Sequence, residues 1–178
     1  GVVKALWEQR LLPRTLAGSS MGAIVAAAIC NRSDEELDDL FAESQDRIHR
    51  IALRWRTPVG MWKHRTAMDE TQVFEHIVAN AGSATFLEAY QRSGRILNIS
   101  VSPTRTRQKP RVLNYLTSPD VLVEYAAQAS CAVPGLFPPV ALQARRGDGR
   151  QVPYMSTETW IDGTVHGVTD LNAQYQEK

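Results

Sequence analysis

The sequence predicts an α/β protein with a mainly parallel sheet and a reactive serine at a strand-to-helix junction. Two observations carry this. Thr15-Leu16-Ala17 is a short apolar strand that runs through Gly18-Ser19-Ser20-Met21-Gly22 into an Ala-rich helix ending near Asn31. Beyond it, helix-like and strand-like segments alternate, the pattern of a sheet whose strands are joined by helical crossovers.

Each element has its own local reason. Residues 1–10 read as an amphipathic helix with Val2, Val3, Leu6 and Trp7 on the apolar side, stopped at Leu11-Leu12-Pro13. Ser33-Asp34-Glu35-Glu36 is a capping box, opening a helix that extends to about Arg56 before Pro58. Residues 71–81 and 85–92 read as helices divided by Gly82. Residues 95–101 and 111–116 alternate like strands, joined by the basic loop 104–110. A helix follows from Pro119 to Ala129 and breaks at Val133-Pro134-Gly135-Leu136-Phe137-Pro138-Pro139. Gly147-Asp148-Gly149 is a turn, and Trp160-Ile161 is a short strand leading into Asp162-Gly163.

Composition removes several classes of function. The chain has 178 residues, enough for one domain, and its 43% hydrophobic content suits a globular core. A net charge of +1 gives no footprint for nucleic acid. Cys30 and Cys131 offer neither a disulfide framework nor metal-ligand spacing, and both read as small core residues. No metal and no organic cofactor is expected.

The Gly18-x-Ser20-x-Gly22 pattern carries the chemistry. A serine on so tight a turn is pushed out of the backbone with its hydroxyl exposed. Gly18 and Gly22 are expected because side chains there would collide with the neighbouring strand or helix. The helix start aims its unpaired N–H groups and positive dipole end at Ser20, which stabilises negative charge developing on a substrate oxygen. Ser20 is therefore the candidate nucleophile of an acyl-transfer hydrolase. A phosphate loop fits less well, since no Lys follows Gly22.

The residue that would take the Ser20 proton is left open between two candidates. His166 follows a strand end and could be the last member of a Ser–Asp–His order; an esterase built on it would take its acid from Asp148 or Asp170. Asp162 sits on a strand-to-turn junction backed by Gly163, which lets its carboxylate approach another loop, or simply cap its own turn. His49, His64 and His76 lie in polar or helical settings that suit a base less well.

Residues 34–46 carry seven acids and no Lys or Arg, whereas residues 47–65 carry six bases and no acid. Helix-dipole complementation accounts for that order. The basic aromatic run Arg54–Arg65, with Trp55, Met61 and Trp62, also suits an anionic lipid surface.

At this point the chain resembles the patatin-like phospholipase domain, most closely its intracellular triacylglycerol lipase branch. The resemblance rests on Gly18-Ser19-Ser20-Met21-Gly22, on Ala129-Ser130-Cys131-Ala132-Val133-Pro134-Gly135-Leu136-Phe137-Pro138-Pro139, and on Asp162-Gly163. It covers nearly the whole chain, read as one domain over residues 1–178. It implies a three-layer α/β/α fold with a Gly-x-Ser-x-Gly nucleophile elbow, and a Ser20–Asp162 dyad without histidine. It also implies hydrolysis of glycerolipid esters, with the substrate met peripherally at a membrane or lipid-droplet surface inside the cell. Two features depart from the family pattern. The glycine-rich oxyanion loop would lie just upstream of Gly1, which leaves the Met21 N–H as the oxyanion donor that can be named. The tail from Leu171 to Lys178 is polar where an apolar continuation is expected. The chain is thus expected to be truncated at its start, to be truncated or divergent at its end, and to fold marginally and hydrolyse esters poorly by itself. Two rival readings stand beside the dyad: a Ser–His–Asp esterase using His166, and a catalytically silent fold that binds lipid or a partner protein.

Overall fold

A computed structural model of the chain describes residues 1–42, 70–105 and 108–164. In chain order the elements are α1 (Val2–Glu8), β1 (Thr15–Gly18), α2 (Met21–Cys30), α3 (Asp34–Ala42), α4 (Glu70–Ala81), α5 (Phe86–Ser93), β2 (Ile96–Pro103), β3 (Arg111–Leu113), α6 (Val123–Ser130), β4 (Gln143–Arg145), β5 (Gln151–Pro153) and β6 (Trp160–Asp162).

The architecture is α/β, as expected, but the sheet is mixed rather than mainly parallel. β1 runs parallel to β2, whereas β3 and β6 both run antiparallel to it. The parallel pair needs a long crossover, which α2 to α5 provide. β3 returns from β2 directly, and such a short connection can only produce an antiparallel neighbour.

The registers fix which edge each strand occupies. Ile99 pairs with Gly18 of β1 and with Leu113 of β3, so these two flank β2 on opposite edges. Val101 pairs with Arg111 of β3 and with Asp162 of β6. β6 therefore lies on the same edge of β2 as β1, running towards it. The two strands meet nose to nose with their C-terminal ends facing and only Ser100 of β2 between their last register partners. At about 3.3 Å per residue, those partners are about 7 Å apart along β2.

α2 and α6 lie on this sheet and pack against each other and against α4. Ala23, Ala26 and Ala27 of α2 and Ala126, Ala127 and Ala129 of α6 are buried, and their small side chains bring helix and strand backbones close. Ile99 and Val101 of β2 and Trp160 of β6 fill the space between.

Several boundaries moved for identifiable reasons. β3 ends at Leu113, not at residue 116, because the Asn114 side chain accepts from the N–H groups of Leu116 and Thr117 and turns the chain. α6 begins at Val123 because Val121 and Leu122 form bridges with Ala144 and Thr85. The 147–149 turn joins β4 and β5 into a hairpin, with Asp148 accepting from the Arg150 N–H and guanidinium. α1 has no fully buried residue, and Val2 is exposed. The capping box at Ser33 and Glu36 is formed, but the expected continuation of that helix past Ala42 lies outside the described residues.

A second capping box opens α5: the Glu88 N–H donates to Thr85 Oγ1, and the Thr85 N–H donates to Glu88 Oε2. Thr85→Ala should cost about 1 kcal/mol, readable as a lower denaturant midpoint at unchanged slope. Glu124, in the first turn of α6, is buried with its Oε2 unpartnered among the described residues. Burial pushes its carboxyl above the ordinary glutamate range, opposed by a hydrogen bond with Ser83 and the charge of Arg145. The unfolded chain gives up this proton more readily, so the stability contribution is fully present in acid. It is lost as pH rises through the folded value. Glu124→Gln should therefore raise the melting temperature at neutral pH and do so less in acid.

Candidate active site

Ser20 stands between β1 and α2 with φ 53° and ψ −131°. An L-residue pays of order 1–3 kcal/mol for such a conformation, so the surroundings must hold it there. Gly18 is part of the reason the turn can be this tight. A Cβ on Gly18 would sit 2.4 Å from the Gly22 carbonyl oxygen and 2.6 Å from the Ala23 nitrogen, both backbone atoms that cannot yield. The other glycine departs from expectation: among the described residues, nothing lies within 4 Å of a Cβ on Gly22. The close approach is made by the Gly18 backbone against the helix, so the steric need falls on one glycine and not on both. Gly18→Ala should destabilise by about 3 kcal/mol or more, whereas Gly22→Ala should fold normally. Thermal unfolding of the two variants checks the contrast.

The two serines of the turn differ in access. The Ser19 hydroxyl is shut off from solvent with no partner among the described residues, whereas Ser20 is half-exposed. Ser20 does not use its side chain to cap α2. The Gly22 N–H donates to the Ser19 carbonyl and the Ala23 N–H to that of Ser20. Among the described residues, no acceptor is seated on the Met21 N–H. Its helix end thus presents a free donor one residue beyond the Ser20 hydroxyl.

Asp162 ends β6 and is 1% exposed. Its backbone N–H donates to the Ala132 carbonyl, and its Oδ1 accepts from both the N–H and the hydroxyl of Thr164. Asp162 thus does cap its own turn, and that turn leaves the second carboxylate oxygen, Oδ2, uncommitted to it. No Lys, Arg or His pairs with Asp162 among the described residues. Gly163 behind it is required sterically, since a Cβ there would lie 2.5 Å from the Ser100 carbonyl oxygen. The sheet register therefore brings the two strand ends that carry Ser20 and Asp162 together over Ser100.

Cys131 also lies close enough to Asp162 to feel its charge. Burial, helped by the negative charge of Asp162, pushes its thiol up to about 12. Burial also pushes Cys30 up to about 12. Both remain protonated at neutral pH and cannot supply a thiolate.

The end of α6 and the turn that follows it touch both sides of the site. The Ser20 N–H donates to Ser130 Oγ at 3.0 Å, Ser130 Oγ donates to the Ser100 carbonyl at 2.8 Å, and Ala132 holds Asp162. Residues 129–139 stand out in the sequence as a motif, but nothing in it signals that Ser130 bonds to a residue 110 positions away. His166 and Asp170 lie outside the described residues, as do His49, His64 and the run Arg54–Arg65. Among the described residues, no cluster of His, Cys, Asp or Glu could hold a metal ion, and no helix is long and apolar enough to cross a membrane. A cavity of about 880 Å³, lined by Trp7, Arg10, Arg14, Asp38 and Arg95 among others, lies at the opposite end of β1 and β2 and includes neither Ser20 nor Asp162.

The family model for patatin-like phospholipases matches residues 1–171. A Schizosaccharomyces pombe protein described as triacylglycerol lipase ptl2 is 37% identical over 180 residues, covering 96% of this chain and 27% of its own length. A Pyricularia oryzae patatin-like phospholipase domain-containing protein is 38% identical over 184 residues, covering 98% of this chain and 23% of its own. One from Aspergillus fumigatus is 39% identical over 174 residues, covering 96% and 24%. The chain thus spans about a quarter of the length of these relatives. The match along nearly all of the chain agrees with the strand–serine–helix turn and the Asp162-Gly163 strand end: the chain belongs to the patatin-like phospholipase family.

Proposed function

We propose that this chain carries the catalytic centre of a serine lipid acyl hydrolase that cleaves glycerolipid esters, with Ser20 as nucleophile and Asp162 as general base. The observation that carries the reading is the convergence of β1 and β6 over Ser100. It sets a strained, half-exposed serine just beyond the end of one strand and, at the end of the other, a buried carboxylate with no cation partner among the described residues.

In the first half-reaction the Ser20 hydroxyl oxygen bonds to the ester carbonyl carbon while Asp162 takes the hydroxyl proton. The carbonyl oxygen gains the negative charge and is met by the Met21 N–H at the start of α2. Collapse of the tetrahedral intermediate breaks the ester bond, and the departing alkoxide takes its proton from Asp162. In the second half-reaction Asp162 deprotonates a water that attacks the acyl-serine, and the fatty acid leaves as Ser20 recovers its proton. Asp162 suits this task because its carboxylate is buried at the end of β6 and the Thr164 turn occupies only Oδ1, which leaves Oδ2 outside that turn as the proton acceptor. A triacylglycerol substrate is supported by the name of the S. pombe relative, and a phospholipid by the family description. Incubating the intact protein with triacylglycerol and with phospholipid, and measuring fatty acid released, tests the reading and separates the two.

The run Arg54–Arg65 is proposed to bring the chain to an anionic lipid surface. Each Lys or Arg near such a surface contributes about 1 kcal/mol, screened by salt. Replacing Arg54, Arg56, Lys63 and Arg65 by Gln should weaken sedimentation with phosphatidylserine vesicles at low salt and make little difference at high salt. Equal binding by both proteins at low salt would leave helix-dipole complementation as the whole explanation.

A further inference from the structure

We infer that Ser130 is a positioning residue that holds Ser20 in its reactive turn; this rests on Ser20 being the nucleophile. The gap between β1 and β6 on the edge of β2 leaves backbone groups that no strand can pair. β1 pairs through Gly18 and β6 through Asp162, so Ser100 faces neither strand. The Ser20 N–H has left the ladder as well. A single hydroxyl fills that gap: Ser130 Oγ accepts from the Ser20 N–H at 3.0 Å and donates its own proton to the Ser100 carbonyl at 2.8 Å. Ser130 is fully buried, so no solvent competes for either bond.

The roles are fixed by chemistry. The N–H can only donate and the carbonyl can only accept, so the bridging group must do both through one atom, which a hydroxyl does and a methyl does not. The strained Ser20 backbone needs an external tie, and this is the one side-chain bond to its N–H among the described residues. Ser130 also begins the turn whose third residue, Ala132, accepts from the Asp162 N–H. The end of α6 and the turn after it thereby tie the serine side and the aspartate side to one short segment, residues 130–132. Loosening it should misplace the Ser20 oxygen without altering how lipid is bound.

In the intact protein, Ser130→Ala should lower kcat about 10- to 100-fold, as a displacement near 1 Å can do, with KM within about twofold of wild type. The rate at which a fluorophosphonate labels Ser20 should fall in parallel, and Ser130→Thr, which keeps the hydroxyl, should recover most of both. Thr85→Ala, remote from the site, serves as the stability control: it should lower the melting temperature while leaving kcat and labelling unchanged. A kcat and labelling rate within twofold of wild type in folded Ser130→Ala would overturn the proposal. So would a loss no greater than that of a Thr85→Ala protein of equal melting temperature. If Ser130→Ala does not fold, Ser130→Cys is read instead. Its thiol is a weaker donor and acceptor, so labelling should slow by at least about fivefold, and an unchanged rate would overturn the proposal. Failure of the underlying reading looks different, because wild-type protein would then show no label on Ser20 at all.

Discussion

Ser20→Ala is expected to lower ester turnover by at least about 10³-fold while the melting temperature stays within a few degrees of wild type. The substitution removes one oxygen from a half-exposed side chain that caps nothing, so the fold has little to lose. The backbone conformation gives the sharper argument. A φ of 53° is unfavourable for alanine and serine alike, so the strain is neither relieved nor increased. What changes is the one atom that can form an acyl intermediate. Residual turnover above about a tenth of wild type would remove Ser20 from the nucleophile role. Neither Cys131 nor Cys30 could inherit it, since both thiols stay protonated.

Asp162→Asn should lower turnover by about 10²–10⁴-fold, the usual contribution of a positioned general base. The amide keeps the size of the carboxylate, and its oxygen can still accept from the N–H and hydroxyl of Thr164, so the turn that ends β6 should survive. The missing function is proton acceptance. His166→Ala, by contrast, should cost less than about tenfold. The reverse ranking, with His166 essential and Asp162 dispensable, would move the chain to the histidine-based esterase.

Much of this arrangement was legible in residues 15–31 and 160–163, where local chemistry decides the outcome. An apolar triplet, a glycine that must lie against a helix backbone, and a run of alanines specify the strand, the turn and the helix almost without outside help. Asp162-Gly163 reads as a strand end for the same local reason. The opposite held wherever distant pairing intervened. The mixed sheet departs from the mainly parallel one expected because strand direction depends on the connection and on which edge of β2 is free, and neither is written in the strands themselves. β3 was cut short by the side chain of Asn114, and α6 was delayed by bridges from Val121 and Leu122, contacts that periodicity does not encode. Gly22 shows the limit of motif reasoning. Its place in the pattern suggested a steric need, yet the close approach belongs to Gly18. The meeting of β1 and β6, and the Ser130 hydroxyl that fills the gap between them, depend on pairings between residues 30 to 110 positions apart and left no local trace.

The central claim is that Ser20 is an activated nucleophile served by Asp162. It is tested most directly by treating the intact wild-type, Ser20→Ala and Asp162→Asn proteins with a fluorophosphonate and locating the adduct by peptide mass spectrometry. The account predicts one phosphonyl group on Ser20 of the wild type, none on Ser20→Ala, and labelling of Asp162→Asn slowed by about 10²-fold or more. An adduct on another residue, or labelling of Ser20 at the same rate in Asp162→Asn, would contradict it.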